Sequence, residues 1–271
     1  MIDFQNVSFS YGEESSGGGI RNVNLTINTG EFVLLTGESG CGKTTITRLV
    51  NGLVPHYYEG NLEGDVLLDG KSVSDTPLYD LAAMVGSVFQ NPKSQFFNVD
   101  TDSELAFACE NLGYPQEDIL KRIDRTVSDY HIEDLMGRSV FALSGGEKQK
   151  IACASSSVLL PGIMVLDEPS SNLDMAAIDD LRQVLSLWKK QGKTILIAEH
   201  RLYYLHDLAD RVLYVKDGEI EREYTPAEFD SLSDGTRKEM GLRPFSLSKL
   251  KPANQYQAHT CLLYNLRAHE T

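Results

Sequence analysis

A glycine-rich stretch near the start of the chain has the residues needed to bind phosphate. Residues 37–44 read GESGCGKT, which matches G-x-x-x-x-G-K-[ST] and follows the apolar run EFVLLTG, typical of a buried strand. Glycines let backbone N–H groups curl around β- and γ-phosphates, Lys43 supplies a positive charge, and Thr44 offers a hydroxyl to Mg²⁺. The alternative, a glycine-rich turn with a surface lysine, leaves the strand and the following helix unexplained. We therefore predict a phosphate-binding loop and a helix from about Lys43.

A pair of carboxylates supplies the chemistry that such a loop needs. The stretch IMVLDE at 163–168 is an apolar strand that ends in Asp167 and Glu168. Ligands of open α/β folds lie at the carboxyl edge of the sheet. We expect Asp167 to hold Mg²⁺, directly or through water, and Glu168 to polarise an attacking water as a general base. The other interpretation is a pair of solvated strand-end acids, against which the phosphate loop argues.

A second glycine pair lies in FALSGGEKQK at 141–150. Residues from Glu147 to Leu160 are compatible with a helix, so Ser144, Gly145 and Gly146 offer a hydroxyl and backbone N–H groups at its start. A helix N-terminus of this kind binds anions. The sequence thus predicts two phosphate-binding turns in one chain.

The first half of the chain contains strand patterns and one helical segment. Ile2 to Phe9 and Val23 to Ile27 alternate as antiparallel strands, and a strand pair is expected around 64–68 and 85–89. The segment from Asp100 to Tyr130 is predicted to be helical, with Thr101 and Glu104 spaced as a capping box and Pro115 at a second helix start. We interpret this segment as part of a helical insert.

The second half alternates helices with strands. A helix from Glu147 precedes the strand IMVLDE, a helix over 174–190 precedes the strand TILIAE, and a helix near 202–208 precedes the strands RVLYVKDG and EIEREY. TPAE at 225–228 begins one more helix. Such alternation predicts an α/β fold with a mostly parallel sheet covered by helices.

Composition limits the classes of function. The 271 residues carry 25 Lys and Arg against 39 Asp and Glu, a formal net charge of −14, which disfavours nucleic acid as a partner. Four widely spaced cysteines indicate reduced cytoplasmic thiols. No apolar run approaches the length of a membrane-spanning helix, and the N-terminus lacks the pattern of a signal peptide. We expect a soluble chain that can still bind a membrane partner.

The motifs together resemble the nucleotide-binding subunit of an ATP-binding cassette (ABC) transporter over about residues 1–224. They occur in that family's order: the aromatic Tyr11, the phosphate loop, Gln90, LSGGE, LDEP, SNLD and AEH ending at His200. The resemblance implies a P-loop NTPase of ABC type at 1–240, with an antiparallel β subdomain, a helical insert at about 92–160, and ATP and Mg²⁺ as cofactors. In many relatives the fourth motif reads LSGGQ, but the serine and glycines matter more.

The family's roles carry over onto matching positions. Tyr11 is expected to stack on adenine, Gln90 to touch Mg²⁺ and relay to a membrane partner, and His200 to contact the γ-phosphate. The alternatives are that Tyr11 is an ordinary aromatic residue at a strand end, Gln90 a solvated loop residue, and His200 a strand-end histidine with its hydrogen bonds satisfied. Glu168, His200 and Gln90 form the predicted catalytic set, and Thr44, Gln90 and Asp167 the predicted Mg²⁺ set. The predicted ATP contacts are Tyr11, Gly37, Glu38, Ser39, Gly40, Cys41, Gly42, Lys43, Thr44 and Thr45.

The resemblance also explains the second glycine turn. In this family two nucleotide-binding domains pack head to tail, and the signature of one closes over the ATP of the other. ATP holds the two domains together and hydrolysis releases them. The residues expected to reach a partner's ATP are Ser144, Gly145, Gly146, Glu147 and Asp174.

Two stretches, FQNPKSQFF at 89–97 and EHRLYYL at 199–205, are similar to energy-coupling-factor (ECF) importers of vitamins or transition-metal ions. Such ATPases work at the cytoplasmic face of the membrane on a transmembrane T component, which carries a substrate-binding S component. The tail at 241–271 resembles the linker after a first ATPase half, so we expect a second domain beyond it. The pairing of two copies, of a fused half or of a separate ATPase is left open, as is another ABC importer or exporter.

The sequence disfavours two further functions. A soluble ABC protein acting on ribosomes or DNA needs two domains with a long coiled-coil or basic insert, which the region at 92–140 does not provide. A regulatory module that binds ATP without hydrolysis is disfavoured by intact Lys43, Asp167, Glu168 and His200. Within the phosphate loop, Cys41 is either a reactive thiolate or a small packed residue.

Overall fold

The computed structural model describes residues 1–12, 18–243 and 245, and two sheets carry the fold of this part of the chain. One sheet is antiparallel in the order β2-β1-β4-β5, and the other has the order β10-β9-β3-β8-β7-β6, in which every pair except β10–β9 is parallel. The strands are β1 (Ile2–Tyr11), β2 (Gly19–Ile27), β3 (Phe32–Thr36), β4 (Gly60–Leu68), β5 (Lys71–Ser72), β6 (Val85–Val88), β7 (Ile163–Asp167), β8 (Thr194–Ala198), β9 (Arg211–Lys216) and β10 (Glu219–Tyr224).

Helices lie between these strands and after them. The α-helices of the described residues are α1 (Lys43–Val50), α2 (Leu53–His56), α3 (Leu78–Met84), α4 (Thr101–Asn111), α5 (Gln116–Tyr130), α6 (Gly145–Ser157), α7 (Met175–Lys190), α8 (Pro226–Ser231) and α9 (Asp234–Glu239). The predicted α/β class, the separate antiparallel sheet and the helical segment between β6 and β7 are confirmed. Where a helix near 202–208 was predicted, there is only a 3₁₀ turn, Tyr203–Leu205.

The buried strand β3 divides the core into two layers. All five of its residues are buried, and successive side chains point to opposite faces of the sheet. Leu34 packs into the layer that includes Ile151 of α6 and Trp188 of α7. Leu35 packs into the layer that includes Ile46 of α1 and the antiparallel sheet. Burial on both faces fixes the position of the loop that follows β3.

Two local predictions were wrong. The segments at 64–68 and 85–88 do not pair with each other, because the first pairs with β1 in the antiparallel sheet while the second pairs with β7.

The cap of α4 is Asp100, whose side chain accepts from the N–H of Ser103. Thr101 instead donates to the carbonyl of Leu135, and Glu104 accepts from the N–H groups of 97 and 98. Asp100 precedes both and competes better for the first turn.

The predicted linker falls almost entirely outside the described residues. Of that segment the structure describes 241–243 and Phe245, which is fully buried and packs edge-on against Phe229 of α8. Among the described residues, no helix is both long and apolar enough to cross a bilayer.

Candidate nucleotide-binding and hydrolysis site

Four neighbouring parallel strands end at one edge of the sheet. The phosphate loop follows β3, His200 comes two residues after β8, Glu168 directly follows β7, and Gln90 comes two residues after β6. Because β3, β8, β7 and β6 are adjacent in that order, residues far apart in sequence meet at this edge. The structure therefore brings together the predicted catalytic set.

The phosphate loop depends on glycine at two positions. Gly37 has φ 149°, and a Cβ there would lie 2.1 Å from the carbonyl oxygen of Val215. Gly42 has φ 110° and stands at the N-cap of α1, where no side chain caps the helix. The first N–H groups of α1 are thus not satisfied by a capping side chain and can bind an anion. Lys43 is 4% exposed, and its Nζ donates to the carbonyls of Gly37 and Glu38 at 3.0 and 2.8 Å.

Two of the three predicted magnesium ligands, Thr44 and Asp167, are in contact. Thr44 Oγ1 donates to Asp167 Oδ1 at 3.1 Å. Burial raises the pKa of Asp167 above its usual value, and the hydrogen bond from Thr44 opposes that rise. A hydroxyl and a carboxylate oxygen at the sheet edge fit the hard oxygen ligands that Mg²⁺ takes.

Glu168 joins the other two predicted catalytic residues. Gln90 Nε2 donates to Glu168 Oε2 at 3.0 Å, and His200 Nε2 lies 3.1 Å from Glu168 Oε1. Glu168 itself has φ 46°, in the left-handed region that a non-glycine residue rarely adopts, while its N–H donates to the carbonyl of Ala198 at 2.8 Å. A backbone strained in this way is a recurrent feature of functional sites. It turns the carboxylate between Gln90 and His200.

The charge state of His200 is set by its surroundings. Burial lowers the pKa of the imidazole below its usual value, the positive charge of Lys43 adds to that effect, and Glu168 opposes it. His200 is therefore neutral near pH 7 and can donate from one ring nitrogen while accepting at the other.

Tyr11 lies beside the phosphate loop helix. Its hydroxyl is 3.3 Å from Thr45 Oγ1 and accepts from Arg48 Nη1 at 3.1 Å, and its ring packs edge-on against Phe9 and Tyr58. The residue predicted to stack on adenine is thus held by α1, and its ring is partly exposed at the end of β1.

The second glycine turn forms a complete capping box. Ser144 Oγ accepts from the N–H of Glu147, and Glu147 Oε2 accepts from the N–H of Ser144. Those hydrogen bonds, with help from Arg138 at 2.9 Å, lower the pKa of Glu147 to about 2. Among the described residues, no hydrogen bond or ion pair joins this turn to residues 37–45. Asp174, also predicted to reach a partner's ATP, caps α7 by accepting from the N–H of Ala177.

Cys41 is buried within the loop. It is 8% exposed, packs with the apolar layer that contains Ile46, and its Sγ lies 3.7 Å from Lys43 Nζ. This position favours the second of the two sequence interpretations, a small residue packed against the sheet.

Sequence reasoning missed Glu199. It is 1% exposed, directly precedes His200, and its carboxylate accepts four hydrogen bonds. The sequence does carry a signal: an acid at the end of the otherwise apolar strand TILIAE needs a reason to be there. Three of its donors lie on its own segment, at His200, Arg201 and Tyr204, whereas the N–H of Ser170 comes from a different loop, which spacing alone does not reveal.

Comparisons with known proteins identify the family of this chain. The model of the family described as "ABC transporter" matches residues 20–171. An ABC transporter ATP-binding protein of Treponema denticola is 47% identical over 251 residues, which cover 93% of this chain and 51% of that protein. One of Pyrococcus abyssi is 40% identical over 229 residues, 84% of this chain and 81% of that protein. The chain spans about half the length of the first curated relatives it matches.

Solved structures share the architecture over most of this chain. The structure of cbiO1 from Clostridium perfringens, described as part of the ABC transporter complex cbiONQ, has a TM-score of 0.75 at 27% identity and covers 88% of this chain and 93% of its own. A dimeric ATP-binding cassette in a post-hydrolysis state with ADP and Pi has a TM-score of 0.71 at 26% identity, covering 83% of this chain and 99% of its own. The chain therefore belongs to the ABC transporter family, as one of its ATP-binding ATPase domains.

Proposed function

We propose that Glu168 is the general base for ATP hydrolysis in this domain. The observation that carries the proposal is the position of its carboxylate, which lies 3.0 Å from Gln90 Nε2 and 3.1 Å from His200 Nε2. Glu168 follows β7, and only β8 lies between β7 and β3, the strand that leads into the phosphate loop. In this proposal Glu168 takes a proton from the attacking water, and Gln90 and His200 orient the carboxylate and the γ-phosphate.

The phosphate loop binds the ATP in this proposal. The N–H groups of 38–45 surround the β- and γ-phosphates, Lys43 exchanges its carbonyl partners for phosphate oxygens, and Tyr11 supports the adenine. Thr44 and Asp167 hold Mg²⁺, with Gln90 nearby, and the ion neutralises charge on the phosphates when it is bound. Both oxygens lie at the end of β7 and the start of α1, where the γ-phosphate would be.

A second nucleotide-binding domain completes the site. The turn at 144–147 and the cap residue Asp174 present backbone N–H groups and side-chain oxygens that make no hydrogen bond to the chain's own phosphate loop within the described residues. We infer that they contact the ATP of a partner domain packed head to tail. The dimeric cassette among the structural neighbours supports this arrangement.

The transporter class is proposed to be an ECF-type importer of a vitamin or a transition-metal ion. The similarity to cbiO1, part of the complex cbiONQ, supports it, together with the stretches at 89–97 and 199–205. In this proposal the chain acts at the cytoplasmic face of the membrane, where a T component receives the motion through the Gln90 segment and an S component binds the cargo.

We further propose that residues 1–240 form one ATPase domain, with a helical insert at about 92–160, and that a second such domain follows the segment at 241–271. Curated relatives matched over about half of their own length support this interpretation. A separate ATPase or a second copy of this chain could pack against the same face, which carries the turn at 144–147 and Asp174.

The test is Glu168→Gln in the protein purified with its bound partners through a tag on this chain. The variant keeps the shape of the side chain but loses the base, so hydrolysis should slow by on the order of 10² or more while ATP binding persists. ATP should then trap a closed dimer, visible by gel filtration. Glu117→Gln is the matched control, because Glu117 is an exposed acid on α5. Hydrolysis by Glu168→Gln at the unmodified rate would rule out the assignment.

A further inference from the structure

Glu199, a buried carboxylate, lies directly after β8 and directly before His200. Glu199 Oε1 accepts from the N–H groups of His200 and Arg201 at 2.8 and 3.0 Å, while Oε2 accepts from the N–H of Ser170 at 3.3 Å and the hydroxyl of Tyr204 at 2.9 Å. Each oxygen therefore has two donors. The group is 1% exposed, and such a charge is tolerated inside a protein only when it is fully hydrogen-bonded.

The donors require an acceptor with two oxygens. Burial, and then the charge of Glu199, raise the pKa of Tyr204 well above its usual value, so the phenol stays protonated and donates. An amide in place of the carboxylate would turn an NH₂ group towards two of the four donors. The geometry is thus specific for a carboxylate.

Arg201 extends the network to a second loop. Its Nη1 donates to the carbonyl of Leu173 at 2.9 Å, and its Nη2 lies 3.5 Å from the carbonyl of Ser171. These carbonyls belong to the loop at 169–174, which begins directly after Glu168 and ends at Asp174, the cap of α7. The same loop is therefore held at Ser170 by Glu199 and at 171–173 by Arg201.

This hydrogen-bond network joins the segment that follows Glu168 to the segment that contains His200. Glu168 lies one residue before the loop, and His200 lies between the two residues that hold it. The N–H of Glu168 also donates to the carbonyl of Ala198, the last residue of β8. A displacement of the loop would move both ends of the contact between Glu168 and His200, and small misplacements of this kind reduce rates strongly.

We propose that Glu199 and Arg201 are positioning residues that hold the loop at 169–174 at a fixed position relative to His200. In this proposal the same loop faces the partner domain, and its position sets the geometry of hydrolysis. This inference rests on the proposed roles of Glu168 and His200. It adds two residues that act through the loop and through His200. Their contribution lies in the rate of hydrolysis and leaves ATP binding unchanged.

The test is a double-mutant cycle between Arg201 and His200 in the protein purified with its bound partners. Arg201→Met retains much of the side-chain stem but loses the donors, so kcat for ATP should fall about 10-fold or more with KM within about twofold. Arg201→Lys restores one donor and should recover part of kcat. Arg182→Met is the matched control, since Arg182 pairs with Asp207 on the surface of α7.

In the His200→Ala background, Arg201→Met should cost nothing further in single-turnover hydrolysis, because its effect passes through His200. Additive losses, or a kcat of Arg201→Met equal to that of the unmodified protein, would overturn the inference.

Thermal unfolding and ATP binding identify a variant that fails to fold, in which case Arg201→Lys carries the cycle. Glu168→Gln is measured in parallel. If Glu168→Gln is inactive while Arg201→Met is normal, only the positioning role fails, whereas an active Glu168→Gln removes the proposed base.

Discussion

The helices α1 and α6 both begin at a glycine-rich turn, but their N-termini are completed in different ways. α1 begins after Gly42 with no capping side chain and carries the buried Lys43 in its first turn. α6 begins after Ser144, which forms a reciprocal capping box with Glu147. The first end offers unsatisfied N–H groups beside a positive charge. The second satisfies its own third N–H and carries a negative side chain.

This difference matches the two proposed roles. An N-terminus that always holds its own nucleotide can rely on phosphate to satisfy its donors. An N-terminus that meets a nucleotide only when a partner closes must be stable without one, and the capping box provides that stability. Ser144 Oγ accepts from Glu147, which leaves its hydroxyl hydrogen free to donate to a visiting phosphate.

The largest expected effect on ATP affinity is at the first turn. Lys43→Ala should weaken ATP binding about 10- to 100-fold, because a charge-assisted hydrogen bond contributes roughly 1.5–3 kcal/mol. Calorimetry with ATP on the purified chain measures this. Lys121→Ala is the control, since Lys121 is an exposed lysine that pairs with Glu117. Equal affinity of Lys43→Ala and the unmodified chain would remove the phosphate loop from the site.

The second effect separates the two turns. Ser144→Arg should abolish hydrolysis but leave the ATP affinity of the monomeric chain within about twofold, because the turn serves a neighbour's nucleotide in this account. Ser231→Arg, at an exposed serine of α8, controls for the added charge. Should Ser144→Arg and Lys43→Ala lose binding to the same extent in a monomeric sample, Ser144 would belong to its own chain's site.

A smaller effect sharpens the description of the phosphate loop. Because Cys41 is packed, maleimide should label it more slowly than a free thiol in solution and, with 8% exposure against 1%, faster than Cys153. Burial raises the pKa of Cys153 to about 12, which further slows that thiol. Peptide mapping over a time course gives both rates. Labelling of Cys41 at the rate of the free thiol would contradict the packed position. Labelling that Mg-ATP does not slow would argue against a nucleotide bound at this loop.

The smallest effect is on the pH dependence of stability. The pKa of Glu147 is about 2 in the folded chain against an ordinary 4.5, so its stabilising contribution is complete above about pH 4.5 and is lost as the pH falls towards 2. Solvent screening limits that contribution to about 1 kcal/mol or less. Urea unfolding of the unmodified chain and of Glu147→Gln measures it. The difference in unfolding free energy should shrink between about pH 6 and pH 3, and a constant difference would argue against the capping carboxylate.

The sequence predicts the site better where one strand and the turn after it are sufficient. The start of α1 at Lys43 and the two acids at the end of β7 follow from an apolar run and its last residues. The sheet to which 64–68 belongs does not follow, because strand pairing depends on the whole chain. The four donors around Glu199 do not follow either, since they depend on the backbone conformation after β8 and on the approach of Ser170 from the loop at 169–174. The cap of α4 was wrong because two neighbouring polar residues competed for one position.

The most direct test of the head-to-tail account uses ATP with a photoreactive group on its γ-phosphate. A mass-labelled Lys43→Ala chain, which should bind the probe about 10- to 100-fold more weakly, is mixed with an unlabelled Glu168→Gln chain, which should bind it with little hydrolysis. The probe concentration is chosen to saturate only the second chain. After illumination, the peptide that contains Ser144 is identified by mass spectrometry. The account predicts that the probe is attached to that peptide from the mass-labelled chain. Attachment only to the Ser144 peptide of the unlabelled chain, with none on the mass-labelled chain, would show that the turn serves its own nucleotide, and would contradict the account.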